Sequence, residues 1–205
     1  DRFKQLLLRF SHEQDEDNRK LLEEELWEDY GTENAVMVID MSGFSLLSQT
    51  YGIVHYLSMI SRMHLITEPL IKEYCGQVIK FEADNCFAIF SDPTSAVLCS
   101  LSLNQAFEEI NEFTPKEMDI HISCGIDYGS ILVVDEKDLY GNAVNRASKL
   151  GEDLAKTDQI LITKEVKDSL SCSDQIWFEE YEFTVSGIDI TAYSVLPEQA
   201  REGHA

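Results

Sequence analysis

The chain has 205 residues, with 38 Asp and Glu against 16 Lys and Arg, which gives a net charge of -22. This charge disfavours sequence-independent binding to nucleic acid or to an anionic membrane surface, because both require a basic protein face. The sequence contains no apolar run of about 18 residues and no signal-peptide pattern, so we expect no membrane insertion of this chain and a cytoplasmic location.

The first thirty residues are predicted to form two short helices or one broken helix. Apolar residues recur there at helical spacing in two groups, separated by the polar run 12–20. These apolar faces are explained either by packing on the domain's own surface, or by a connector to an upstream sensor domain or a dimer contact. We divide the chain into a helical connector (1–30), a main domain (31–197) and a tail (198–205).

Strands and helices alternate through the main domain in the predicted order β-α-β-β-α-β-β-α-β-α-β-β. The first strand, Ala35–Ile39, ends at Asp40. A long helical region over Phe44–Cys75 follows and is interrupted near Gly52. After a hairpin, a second apolar helix is predicted over Ala96–Phe113. This order is typical of a split βαβ sheet with helices on one face.

The second half of the chain is predicted to begin with two strands, Met118–Asp127 and Ser130–Val134, joined by a turn at 128–129. An acidic loop, Asp135–Asp138, then leads to a helix over Gly141–Leu154. Cysteines lack metal-ligand spacing, and those in apolar strands are predicted to be core thiols of a reducing compartment. The remaining elements are a strand, a helix and two strands, predicted at 159–163, 164–170, 177–184 and 190–195.

The hairpin of Lys80–Phe90 carries Asp84 at its tip. Burying an unpaired carboxylate costs several kcal/mol, so Asp84 must be solvated or bound to a cation. An ordinary turn aspartate explains Asp84 when it is taken alone. However, a second apolar strand also ends in a carboxylate, at Asp40. If the two strands are neighbours, both aspartates converge on one divalent cation.

Three segments occur in the order VIDMSGFS (38–45), KFEADNCFAIF (80–90) and LYGNAVNRASKL (139–150). Together they resemble the catalytic domain of the class III adenylate and guanylate cyclases, over about residues 34–195. The resemblance implies an α+β fold, in which a ferredoxin-like palm with a βαββαβ core has an antiparallel sheet, helices mainly on one face and an N-terminal helical extension. It also implies a head-to-tail dimer with an identical or related cyclase chain, and active sites at the interface.

The family reaction is the attack of a ribose 3′-hydroxyl on the α-phosphate of a nucleoside triphosphate, which releases pyrophosphate and a 3′,5′-cyclic nucleotide. By resemblance, Asp40 and Asp84 bind two Mg²⁺ or Mn²⁺ ions per site, with Met41 in the same metal set. Backbone N–H groups at the turn after the first strand would receive the terminal phosphates. These groups belong to Ser42, Gly43, Phe44 and Ser45.

The resemblance assigns base recognition to Lys80 and Asp138. A carboxylate at position 138 can accept from the exocyclic amine of adenine, so ATP is favoured over GTP. Asn145 falls at the asparagine that orients the ribose. Four residues later, on the same helical face, Lys149 stands where the family usually has an arginine that acts on the transition state.

The chain departs from the family pattern at three places. Lys149 keeps the positive charge but loses the planar bidentate geometry of arginine, which makes slow turnover an open outcome. Arg146 follows Asn145 directly, so on a helix it points about 100° away from Asn145 and is a poor substitute for the usual arginine. No cation stands in the turn 185–189, where family members often carry a phosphate-binding lysine. Glu82 either pairs with Lys80 or faces solvent, and we favour solvent.

Three functions therefore remain open from the sequence. The first is a cyclase that makes cyclic AMP from ATP. The second is a low-activity or inactive cyclase-like module that binds nucleotide and serves in regulation or dimerisation. The third is a cyclase for GTP or a pyrimidine nucleotide. A diguanylate cyclase is disfavoured, because residues 82–85 read EADN in place of the Gly-Gly-Asp/Glu-Glu-Phe hairpin.

Overall fold

The computed structural model describes residues 1–43, 49–171, 176–185 and 188–196. None of the helices in these ranges is long and apolar enough to cross a membrane. Two N-terminal helices precede the sheet, and a 3₁₀ turn, Lys116–Met118, precedes the fourth strand. The elements are α1 (Arg2–His12), α2 (Glu16–Tyr30), β1 (Gly31–Met41), α3 (Ile53–Glu73), β2 (Gln77–Glu82), β3 (Asn85–Phe90), α4 (Pro93–Asn111), β4 (Ile122–Val134), β5 (Asp138–Tyr140), α5 (Asn142–Ser148), β6 (Ile160–Ile162), α6 (Lys164–Asp168), β7 (Trp177–Val185) and β8 (Ile188–Leu196).

The sheet has the strand order β2-β3-β1-β4-β6-β8-β7, and β5 pairs with β4. The pairing of β4 with β6 is parallel and the other pairings are antiparallel. Strands β1 to β4, with α3 and α4 between them, form the βαββαβ core of a ferredoxin-like palm. The predicted α+β fold class is confirmed, and β1 lies at the centre of this core.

The two faces of the sheet carry different helices. Met37 and Ile39 of β1 point into the larger core, where Met63 of α3 and Leu103 of α4 are fully buried. The intervening residues, represented by Val38, point to the opposite face, which α5 covers. Because side chains alternate along a strand, Asp40 shares the α5 face. The helices lie mainly on one face, as predicted, and α5 is placed beside the end of β1.

Helix α5 lies in backbone contact with the sheet at two glycines. A Cβ atom on Gly125 of β4 would lie 2.2 Å from the carbonyl oxygen of Ala147 and 2.4 Å from the backbone nitrogen of Gly151. A Cβ atom on Gly151 would lie 2.7 Å from the carbonyl oxygen of Val38. No larger residue fits between these backbones, so the position of α5 relative to the end of β1 is fixed.

The N-terminal helices pack on the domain's own sheet. Phe3 and Leu6 of α1 and Leu22 and Leu26 of α2 form a cluster with Val134 of β4. This packing confirms the two predicted helices. Helix α2 ends at Tyr30 and β1 begins at Gly31, so no loop separates them.

The predicted turn at Tyr128 and Gly129 is wrong. Both residues lie inside β4, where they pair with Ala35 and Asn34 of β1. The glycine suggested a turn, but the ladder with β1 continues through it and makes one 13-residue strand. The chain reverses instead at 135–137, where positions 135 and 136 have left-handed φ values of 51° and 53°. The predicted acidic loop is therefore a hairpin turn, and β5 was missed.

Other local predictions are confirmed. Gly52, with φ 85°, interrupts the helical region and begins α3. The hairpin of β2 and β3 turns at 83–84, where Ala83 has φ 53°. Cys86 and Cys124 are fully buried core residues, and burial raises the pKa of both thiols.

Candidate active site

Asp40 and Asp84 lie at neighbouring strand ends. Asp40 is paired across the β1–β3 ladder with Asn85, the residue that follows Asp84. Both aspartates are partly exposed, whereas the residues 34–39 that lead to Asp40 in β1 are buried. The predicted adjacency of these strands is thus confirmed, and the chain places two carboxylates at one edge of the sheet.

Asp40 lies in a strongly negative environment. Its pKa is raised from 3.8 to about 7, first by burial and then by the charges of Asp84, Glu152 and Asp153, while the N–H of Met41 opposes the shift. Among the described residues no group of three or more His, Cys, Asp or Glu side chains is arranged to hold a metal ion. Carboxylate oxygens such as those of Asp40 and Asp84 are among the ligands that Mg²⁺ and Mn²⁺ prefer.

Two of these carboxylates, Glu152 and Asp153, escaped the sequence analysis. They belong to a π-helical turn, Lys149–Leu154, that continues α5. The Glu152 carboxylate accepts hydrogen bonds from Ser148 and Asn85, and burial raises its pKa. An Asn85 hydrogen bond ties this turn to the hairpin that carries Asp84. The signal in the sequence was a pair of acidic residues one turn after Lys149.

Lys80 and Asp138 meet although 58 residues separate them in the chain. The Lys80 Nζ lies 2.8 Å from the Asp138 carboxylate and 5.1 Å from the centre of the Phe87 ring. The hydrogen bond with Asp138 raises the pKa of Lys80, and the same bond lowers the pKa of Asp138. The two residues assigned to base recognition therefore form one ion pair on one surface of the chain.

The expectation that Glu82 faces only solvent is wrong. Its side chain is 67% exposed, but its carboxylate lies 3.1 Å from the Lys80 Nζ. Residues two apart in a strand point to the same side, so the pairing follows from the geometry of β2. Lys80 is shared between two carboxylates.

A tyrosine connects this ion pair to the N-terminal helices. The Tyr140 hydroxyl donates to the Asp138 carboxylate at 3.3 Å. Its ring stacks on Phe3 of α1, with ring centres 5.8 Å apart and planes 14° apart. No pattern in the sequence indicates this ring contact, because it joins α1 and β5, which are far apart in the chain.

Asn145 lies on α5, and Lys149 directly follows the last residue of that helix. Asn145 is exposed. The Lys149 Nζ lies 2.6 Å from the Asp153 carboxylate, and the two side chains are 36% and 56% exposed. Lys149 is therefore held by a neighbour within its own chain.

Arg146 has a different role. Its Nε donates to Asp127 at 2.5 Å, and another guanidinium nitrogen lies 3.0 Å from Glu165. Asp127 is fully buried and also accepts from Thr163 at 2.6 Å. Burial nevertheless raises the Asp127 pKa. Arg146 compensates the buried charge of Asp127. Loss of this pair would destabilise the fold, because an unpaired buried carboxylate costs several kcal/mol.

The phosphate-binding turn is only partly described. The Ser42 N–H already donates to the carbonyl oxygen of His121 at 2.9 Å. This bond leaves the Gly43 N–H as the candidate phosphate donor within the described residues. The predictions for Phe44 and Ser45, and the absence of a cation at 186–187, fall outside the described residues.

Residues 29–196 match the family described as the adenylate and guanylate cyclase catalytic domain. A protein of Rhizobium meliloti (strain 1021) named "Putative adenylate cyclase 3" is 29% identical over 116 residues, which are 57% of this chain and 20% of that protein. The chain thus spans about a fifth of the length of this curated relative.

Two solved structures have closely similar folds. The adenylate/guanylate cyclase/hydrolase from Silicibacter pomeroyi superposes with a TM-score of 0.64 and 28% identity, over 82% of this chain and 98% of that one. The adenylyl cyclase CyaB from P. aeruginosa gives a TM-score of 0.68 and 20% identity, over 82% and 96% of the two chains.

Proposed function

Since this chain belongs to the family of adenylate and guanylate cyclase catalytic domains, we propose that it converts ATP to 3′,5′-cyclic AMP and pyrophosphate. The observation that carries the proposal is the placement of Asp40 and Asp84 at adjacent strand ends, within a cluster of negative charge. Burial and the neighbouring charges raise the pKa of Asp40 to about 7, so a bound cation would favour its ionised form near neutral pH.

The residues at this edge fit divalent cations. Asp40 and Asp84, with the backbone at Met41, would hold Mg²⁺ or Mn²⁺, two ions per site, together with oxygens of the substrate phosphates. When bound, the ions lower the pKa of the attacking hydroxyl and neutralise charge on the phosphates. The Gly43 N–H lies just beyond Asp40 in the chain and would donate to a terminal phosphate oxygen.

The remaining groups bind and orient the nucleotide. Asp138 accepts a hydrogen bond from the exocyclic amine of adenine while Lys80 donates to a ring nitrogen. Asn145 holds the ribose, and Lys149 balances the charge that develops at the α-phosphate. We place Asp40 and Asp84 in one chain and these four residues in the other chain of a head-to-tail dimer, formed by two identical or related chains.

A product assay tests this function. The purified chain is incubated with ATP, GTP, CTP or UTP, with Mg²⁺ or Mn²⁺, at several protein concentrations, and cyclic nucleotides are identified by mass. We expect cyclic AMP, at a rate per mole of protein that rises with concentration because the site needs two chains. A rate independent of concentration down to nanomolar protein would contradict a readily dissociating dimer.

Base preference is expected to depend on Asp138. Asp138→Cys removes the acceptor for the adenine amine, so the ratio of kcat/KM for ATP to that for GTP should fall about tenfold. Glu82→Gln is the matched control, because it removes the other partner of Lys80 without touching the acceptor. An unchanged ratio in Asp138→Cys would show that Asp138 does not read the base.

A second candidate is a module that binds nucleotide but turns it over slowly. The observation that favours it is the lysine at position 149, whose Nζ is engaged by Asp153 at 2.6 Å. Nucleotide binding without any cyclic product from the four substrates would favour this candidate over the first.

A further inference from the structure

Asp153 and Lys149 form an ion pair inside the segment to which the proposed function assigns the transition-state charge. The two residues are four apart, and Nζ lies 2.6 Å from the carboxylate. Both belong to the π-helical turn Lys149–Leu154. π-helical turns are rare and occur frequently at functional sites.

The backbone beneath this pair is rigidly seated. Leu150 is 1% exposed, and Gly151 lies so close to β1 and β4 that a Cβ atom would lie 2.7 Å from Val38 and 2.9 Å from Gly125. The turn cannot shift toward the sheet. Rotation of the Lys149 side chain can move its charge while this backbone stays in place.

The negative charges around Lys149 favour the position of its side chain beside Asp153. The charges of Asp153 and Glu152 both act on Asp40, so Lys149 is bound to a member of the acidic cluster. Within the part of the chain that the structure describes, Asp153 forms an ion pair with Lys149 alone. The pair is exposed enough for a substrate phosphate to reach it.

We propose that Asp153 is a positioning residue that holds Lys149 in a resting position, so that the α-phosphate must take the lysine over from Asp153 during turnover. This inference rests on the proposed function. It gives slow turnover a cause within the chain, in addition to the replacement of arginine by lysine. Asp153 itself touches no reacting atom in this arrangement.

The test compares kcat and KM for ATP, with Mn²⁺, in the wild type, Asp153→Asn and Asp168→Asn. Asp168 is the matched control, because it forms an exposed i,i+4 pair with Lys164 outside the site. An exposed ion pair is weak, so releasing Lys149 should raise kcat about two- to fivefold with little change in KM. Asp168→Asn should leave both constants unchanged.

A second background isolates the lysine. In Lys149→Gln the Asp153→Asn change should have no effect on kcat, because no charge remains to be released. Unchanged or reduced kcat in Asp153→Asn, or the same gain in the Lys149→Gln background, would overturn the inference. A wild type that forms no cyclic nucleotide would overturn the proposed function and this inference with it, whereas an active wild type with an unresponsive Asp153→Asn overturns the inference alone.

Discussion

Asp40→Asn and Asp84→Asn are each expected to lower cyclic-nucleotide formation by about 100-fold or more while the protein stays folded. Each change removes one carboxylate from the pair that would bind divalent cations, and loss of one preorganised electrostatic group costs on the order of 10² to 10³ in rate. The measurement is kcat with saturating ATP and Mn²⁺. Activity within about threefold of the wild type in both variants would sink the proposed site.

Asp40→Asn should at the same time stabilise the protein when no divalent cation is present. The folded-state pKa of Asp40 is about 7, against an ordinary value of 3.8, so the folded chain binds this proton more tightly than the unfolded chain. The stabilisation is complete below the unfolded pKa and is lost as pH rises through the folded one. In EDTA, the wild-type Tm should therefore fall more steeply than that of Asp40→Asn between about pH 5 and 8.

The same melting experiment separates metal binding from catalysis. Added Mn²⁺ should raise the Tm of the wild type at pH 8, because a cation that binds only the folded state stabilises it. The shift should be smaller in Asp40→Asn and Asp84→Asn. Equal shifts in all three proteins would place the bound cation elsewhere.

Gly125→Ala is expected to destabilise the protein by about 3 kcal/mol or more and to reduce activity. The added methyl group would meet the backbone of α5, with the Ala147 oxygen 2.2 Å away, and a backbone cannot rotate aside as a side chain can. Either the free energy of unfolding falls by this amount, or α5 moves away from the sheet and carries Asn145 and Lys149 with it. Urea unfolding and kcat measure the two consequences.

Gly129→Ala on the same strand is the control. Its new methyl group would lie 3.8 Å from the Ala143 Cβ, an ordinary contact, so stability should change by less than about 1 kcal/mol. If Gly125→Ala were as stable as Gly129→Ala, the close seating of α5 on β4 would be incorrect.

The sequence was informative wherever local chemistry determines structure. Asp84 could be placed at a hairpin tip because short apolar strands flank a turn-forming Asp-Asn pair, and Gly52 marked a break because a left-handed φ favours glycine. The adjacency of Asp40 and Asp84 was a hypothesis conditional on their strands being neighbours, and the resemblance to the cyclase family supported it. The fold class was predictable for the same reason.

The features that could not be predicted depend on contacts between elements that are far apart in the sequence. Glu152 reaches the acidic cluster because two glycines bring α5 onto the sheet, and no pattern in the sequence measures that distance. Tyr140 and Asp138 both lie in β5, but the ring of Tyr140 also stacks on Phe3 of α1, which is far away in the chain. The turn predicted at Gly129 was wrong because glycine in a strand cannot be distinguished from glycine in a turn until the partner strand is known.

The direct passage from α2 into β1 has a mechanical consequence. Tyr30 ends the helix, Gly31 begins the strand, and a Cβ atom on Gly31 would lie 2.3 Å from the Trp27 carbonyl oxygen. The joint therefore has no slack, and the strand runs from it straight to Asp40. Because no loop separates α2 from β1, a displacement or rotation of α2 is transmitted directly along β1 to Asp40.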